Sequence, residues 1–219
     1  MNVILFGATG MVGQGVLREC LLDPDVKQIL SIVRSPSGQR HDKLRELVHA
    51  NFFDYSDIEQ QLTGFDACFF TLGVTSSGMS EQLYHHLTYE LTLEAAETLA
   101  RLNPAMTFLY VSGAGTDSTE SGRIMWARVK GKTENALLHL PFKAAYMFRP
   151  GFIQPLHGIT SKTKSYRLLY AALNPFMPLL KAIFPRQITT TEKLGRAMLK
   201  VAKNGFPRPI LGARDINSL

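Results

Sequence analysis

The sequence predicts an α/β fold, a doubly wound parallel sheet in the order 3-2-1-4-5-6 with a small helical cap after it. Three observations lead there. Short β-branched or aromatic runs alternate with longer amphipathic stretches over the first 150 residues. Asp23-Pro24 and Asn103-Pro104 close two of those stretches, because the residue before a proline is pushed out of the helical region. Strand-like runs then stop at Pro150. Repeated β-α units put each crossover helix on a face of the sheet, so a parallel sheet built this way is covered on both sides.

The expected strands are Val3–Phe6, Gln28–Val33, Leu47–Phe52, Ala67–Thr71, Thr107–Val111 and Ala144–Phe148. Between them, Met11–Leu22, Ser56–Gln61, Ser80–Leu102 and Gly122–Leu140 read as helices. Beyond Pro150, Ser161–Leu173, Phe176–Phe184 and Thr191–Lys203 read as helices separated by Asn174-Pro175 and Pro185. One short edge strand fits Pro209–Leu211. The expected organisation is one domain over residues 1–219, with 151–190 as a cap over a small-molecule substrate.

The 219 residues are 45% hydrophobic, enough for a full core without covalent staples. The two cysteines, Cys20 and Cys68, lack any metal-ligand spacing and read as reduced core residues. With no basic, apolar leader before Val3, they suggest a cytoplasmic protein. Charge is uneven along the chain. Residues 1–110 carry 7 Lys+Arg against 13 Asp+Glu, whereas residues 111–219 carry 17 against 5. The basic half suits an anionic cofactor, substrate or membrane surface, or it is a solvated face. The apolar and basic stretch 161–184 reads first as the cap, with an anionic membrane surface or a protein partner as alternatives. No nucleic-acid recognition motif accompanies the charge. Adjacent His85 and His86 point about 100° apart on a helix, which argues against a shared metal ion. His157 reads as an exposed loop residue.

Gly7-Ala8-Thr9-Gly10-Met11-Val12-Gly13 follows the first strand and opens the first helix. Gly7 suits a sharp turn out of the strand. Gly10 lets backbone N–H groups approach a pyrophosphate, and Gly13 lets the helix lie close on the sheet. The helix N-terminus adds unpaired donors and the positive end of its dipole. Arg34 follows the second strand, and no Asp or Glu lies between Val26 and Arg40. A carboxylate there would hold a ribose 2′-OH, whereas an arginine pairs with a 2′-phosphate. The expected cofactor is therefore NADP(H), with NAD(H) less favoured.

These residues resemble the atypical short-chain dehydrogenase/reductase superfamily, and within it the Tat-interacting-protein-like oxidoreductase group. The resemblance spans about residues 1–205. It rests on the glycine turn, Thr71-Leu72-Gly73-Val74, Tyr110-Val111-Ser112, Val129-Lys130-Gly131-Lys132-Thr133-Glu134 and Phe148-Arg149-Pro150-Gly151. It implies a Rossmann fold with Gly7, Thr9, Gly10, Met11 and Val12 around the pyrophosphate and Arg34 at the adenosine ribose. It places Asn51 and Phe52 at the adenine and Leu72 and Gly73 along the cofactor. Pro150, Gly151 and Phe152 would pass near the nicotinamide.

The resemblance also implies a catalytic set of serine, tyrosine and lysine, with the last two one helical turn apart. Ser112 and Lys130 match, but the tyrosine position holds Trp126. An indole N–H donates one hydrogen bond and does not titrate usefully. No tyrosine in the chain has a lysine four residues on. Tyr110 and Tyr146 belong to strands, and Tyr84 and Tyr89 to the long helix. Two readings follow: an oxidoreductase that protonates through Ser112, water or Lys130, or a cofactor-binding sensor or scaffold without turnover.

Overall fold

The computed structural model describes residues 1–160, Met177, Leu180 and 186–219. The chain begins β1 (Asn2–Phe6), α1 (Met11–Leu22), β2 (Gln28–Val33), β3 (Leu44–Val48) and β4 (Ala67–Phe70). A long helical stretch follows: α2 (Glu81–His85), a π turn at His86–Glu90, and α3 (Leu91–Leu102). Next come β5 (Thr107–Val111), α4 (Met125–His139), β6 (Ala144–Arg149) and β7 (Phe152–Gln154). After the undescribed residues come β8 (Ile188–Thr190), α5 (Thr191–Asn204), β9 (Ile210–Gly212) and α6 (Ala213–Ser218).

The main sheet runs β3-β2-β1-β4-β5-β6-β9, and every pairing in it is parallel. This is the expected Rossmann-like order, extended by β9 at the edge. Alternation along the strands divides the core. Ile4, Phe6, Leu30, Ile32, Phe70 and Phe108 face α3 and α4. Val3, Leu5, Ile29, Phe69, Leu109 and Phe148 face α1 and α5. Each such side chain, fully buried, contributes about 1.5–3 kcal/mol. This two-faced burial is what reads in the sequence as continuous apolar runs.

Several expected elements differ. The third strand lies at Leu44–Val48 rather than Leu47–Phe52, because β2 pairs Ile29 with Leu44 through to Val33 with Val48. Asn51 instead opens a turn, its side chain accepting from the Phe53 amide at 3.1 Å. Ser56–Gln61 contracts to a single 3-10 turn at Glu59–Leu62. Strands do not stop at Pro150, since β7 pairs with β8 in a separate two-stranded sheet. The expected helices Ser161–Leu173 and Phe176–Phe184, and most of the cap at 151–190, lie outside the described residues. Both cysteines are buried and free, and burial pushes their thiols up. Among the described residues no helix is long and apolar enough to cross a membrane.

Helices α1 and α5 touch backbone to backbone. A Cβ on Gly15 would lie 2.7 Å from Thr191 Cβ, and one on Gly195 would lie 2.8 Å from Glu19 Cγ. Glu19, buried beside this contact, accepts from Arg18 and from Arg196 Nε at 3.0 Å. Gly15→Ala should therefore lower stability by about 1–3 kcal/mol, the usual cost of overpacking. Urea unfolding checks this, with Gly38→Ala as a positive-φ glycine in open space for comparison.

Candidate functional site

The glycine turn sits where β1 gives way to α1. Gly7 has φ +82°, a conformation that disfavours a side chain, and its Cβ would lie 2.7 Å from Leu72 N. A Cβ on Gly13 would come within 2.0 Å of Gly7 O. Thr71 Oγ1 closes the same corner by donating to Phe6 O at 2.6 Å. Gly10 differs: a Cβ there would meet only Gly7 O, at 3.3 Å, and would otherwise project into open space. Gly10 is the N-cap of α1, with no side-chain cap and no acidic residue in the first turn. The amide end of the helix is thus left to an anion.

A cleft of about 370 Å³ opens beside this turn, at the carboxyl ends of β1, β2 and β4. Gly7, Thr9, Arg34, Phe52 and Leu72, all expected site residues, line it. Met11 and Val12 form the first turn of α1 beside it, and Gly73 follows Leu72 with open space where a Cβ would stand. The Arg34 side chain is exposed and enters no ion pair among the described residues. Asn51 is not a lining residue, because its side chain is spent on its own turn. Gln14, Ser35, Ser37 and Gln39 line the cleft without having been singled out in the sequence. Their signal was faint: a Ser-Pro-Ser-Gly loop reads as a turn before it reads as a wall.

The catalytic candidates gather on α4 and the end of β5. Lys130 Nζ donates to Ser112 O at 2.6 Å. Burial pushes the Lys130 ammonium down to about 8, with the nearby Glu134 charge acting the other way. Trp126, one turn earlier, lies against the loop after β5, where a Cβ on Gly115 would be 3.4 Å from the indole. The Ser112 hydroxyl donates to Glu134 Oε1 at 2.5 Å and has Phe148 O at 3.2 Å. Glu134 is fully buried, and Arg149 Nε lies 3.1 Å from each of its oxygens. Arg149 also donates to Ser118 Oγ at 2.5 Å. Gly131 explains the glycine within the lysine segment, since a Cβ there would sit 1.7 Å from Asp117 O. Glu134 was legible as a charge one turn after Lys130, but nothing in the sequence paired it with Arg149.

Other expected residues fall elsewhere. Pro150 O accepts from Ala114 N at 2.8 Å, and a Cβ on Gly151 would lie 2.4 Å from Gln187 O. Phe152 opens β7. These three are built into the β7–β8 corner and do not line the cleft. Tyr84 and Tyr110 are buried, and burial raises the Tyr110 phenol. His85 and His86 diverge along the helix, yet the π turn lets both reach one carboxylate, Glu90, at 3.1 and 2.6 Å. His157 pairs with Glu192 at 2.5 Å.

Residues 7–137 match the family model described as NAD(P)H-binding. The chain belongs to the NAD(P)H-binding family. It is 30% identical over 159 residues to "Protein fmp52, mitochondrial" of Emericella nidulans, covering 69% of this chain and 66% of that one. This member thus spans just under two thirds of that relative's length. The FMP52 protein of Debaryomyces hansenii is 26% identical over 212 residues, covering 96% of this chain and 89% of the relative. The fold matches a UDP-N-acetylglucosamine 4-epimerase from Methanobrevibacter ruminantium, with TM-score 0.70 at 14% identity over 96% of this chain and 75% of that one. The likeness to the epimerase is one of fold. The fungal relatives overturn the cytoplasmic expectation, because they are named as mitochondrial proteins. Reduced cysteines report redox state, and more than one compartment is reducing.

Two outcomes follow from the α4 cluster. Glu134→Ala should destabilise by about 3–5 kcal/mol, because it strands Arg149 beside an emptied pocket. Glu81→Ala, at an exposed residue paired with Arg128, should cost about 0–1 kcal/mol. Denaturant unfolding of both variants checks the contrast. The folded chain releases the Lys130 proton near pH 8, and the unfolded chain holds it to its ordinary 10.5. The unfolded state therefore binds more protons between those values, and this group's contribution to stability rises with pH across that window. The rise should be absent from Lys130→Met in the same unfolding series.

Proposed function

We propose that this chain binds NADP(H) in preference to NAD(H) and reduces a small carbonyl compound, with Lys130 as its proton donor. One observation carries the reading: the uncapped amide end of α1 and the Arg34 guanidinium, without an ion pair among the described residues, border the same cleft. The residues fit a dinucleotide phosphate. Gly7, Thr9, Gly10, Met11 and Val12 would hold the pyrophosphate, Leu72 and Gly73 the adjoining cofactor backbone, Phe52 the adenine and Arg34 the 2′-phosphate. When bound, the cofactor supplies a hydride.

The protein's own part is the proton. Trp126 does not titrate usefully, and the Ser112 hydroxyl proton is directed at Glu134, which also pairs with Arg149. Lys130 Nζ holds a proton below about pH 8 and can release it near neutrality. A second reading is a cofactor-binding sensor without turnover, favoured by Trp126 standing where the superfamily has its tyrosine.

Isothermal titration calorimetry reads nucleotide binding directly, and NADPH should bind. Arg34→Ala should weaken NADPH by about tenfold, the scale of one charge-assisted pair, and leave NADH nearly unchanged. NADPH consumption over a carbonyl panel should fall as pH rises through about 8 and vanish in Lys130→Met, measured at saturating NADPH. Binding with no turnover across the panel supports the sensor. No binding of either nucleotide sinks both readings.

A further inference from the structure

We infer that Glu46, on β3, is a positioning residue for nucleotide choice: it holds the 35–39 loop so that Arg34 meets the 2′-phosphate unopposed. The inference rests on the NADP(H) reading of the cleft. Its starting point is the register of β3. Because that strand begins at Leu44, Glu46 pairs across from Ser31, three residues before Arg34. From there its carboxylate reaches the loop that forms the cleft wall. One oxygen accepts from the Ser37 amide at 3.1 Å, and the other accepts from the Ser37 hydroxyl. The Ser37 hydroxyl in turn accepts from the Gln39 amide at 3.2 Å. Ser35, Pro36, Ser37 and Gln39 all line the cleft, whereas Glu46 does not.

This geometry decides what the charge does. A carboxylate facing the adenosine ribose would repel a 2′-phosphate and accept from a 2′-OH. Glu46 instead spends both oxygens on Ser37, in charge-assisted bonds that neutral acceptors would match less well. Its charge goes into the shape of the loop. Without it, a segment holding Gly38 at φ +79° and no partner in a regular element would have little to keep it beside Arg34. Specificity then follows from two residues on neighbouring strands, one contacting the phosphate and one acting through the loop.

The test compares Kd values for NADPH and NADH in the wild type, Glu46→Gln, Glu46→Ala and Ser37→Ala, read by isothermal titration calorimetry. Amide hydrogen exchange over residues 35–39 of the ligand-free protein is followed in parallel. The expected result is a five- to tenfold loss of the NADPH preference in Glu46→Ala and Ser37→Ala, with faster exchange in the loop. Glu46→Gln can still accept from the amide and donate to the hydroxyl, so it should restore most of the preference. Equal weakening of both nucleotides, with the ratio unchanged, overturns the inference. So does tighter NADPH binding in Glu46→Ala, which would mean the carboxylate repels the phosphate directly. Ser37→Ala is exposed and keeps the result decisive if Glu46→Ala folds poorly. A wild type with no NADPH preference sinks the reading of Arg34 and this inference together. A preference that survives all three variants sinks this inference alone.

Discussion

The structure depends on a backbone-to-backbone approach at the end of β1. Gly7 turns through positive φ against the Thr71–Leu72 peptide, and Gly13 lies on the Gly7 carbonyl. No side chain fits at either place without moving main chain. That contact fixes where α1 starts, and therefore where its unpaired amides point. It also brings the ends of β1 and β4 to the same edge, so that Leu72 becomes a wall of the cleft. Gly10 is the complement of this constraint, a glycine that faces space instead of backbone. A tight turn alone would have no need of it.

The other end of the site is governed by buried charge. Glu134 is out of water entirely, and its pairing with Arg149 and Ser112 ties α4, β5 and β6 into one unit. Such a group is costly when its partners are removed and unremarkable when they are kept. Its effect on the neighbouring groups is indirect. By taking the Ser112 hydroxyl, it leaves Lys130 as the titratable group beside the strand end, in surroundings that already disfavour its charge. The indole of Trp126 lies against Gly115 of the loop after β5.

Much of this was readable beforehand, and for identifiable reasons. The sheet order, the first turn and the placement of Arg34 rest on local rules: apolar runs, glycine spacing and the length of a βα unit. The third strand slipped because Leu44–Val48 is less apolar than the segment after it, and only pairing with β2 selects it. Asn51 failed as a cleft residue for a related reason, since an Asn side chain that can close its own turn generally does. β7 was missed because three residues signal nothing until β8, far along the chain, pairs with them.

What the sequence by itself determined is the dinucleotide turn and the parallel sheet that carries it. Both follow from residues within one unit of each other, where periodicity and backbone freedom act locally. Only the tertiary structure decided which charges meet. Glu46 came to the Arg34 loop through a strand register. Arg149 came to Glu134 through the packing of β6 on α4. Electrostatic partners are chosen by distance in space, and distance along the chain says little about it.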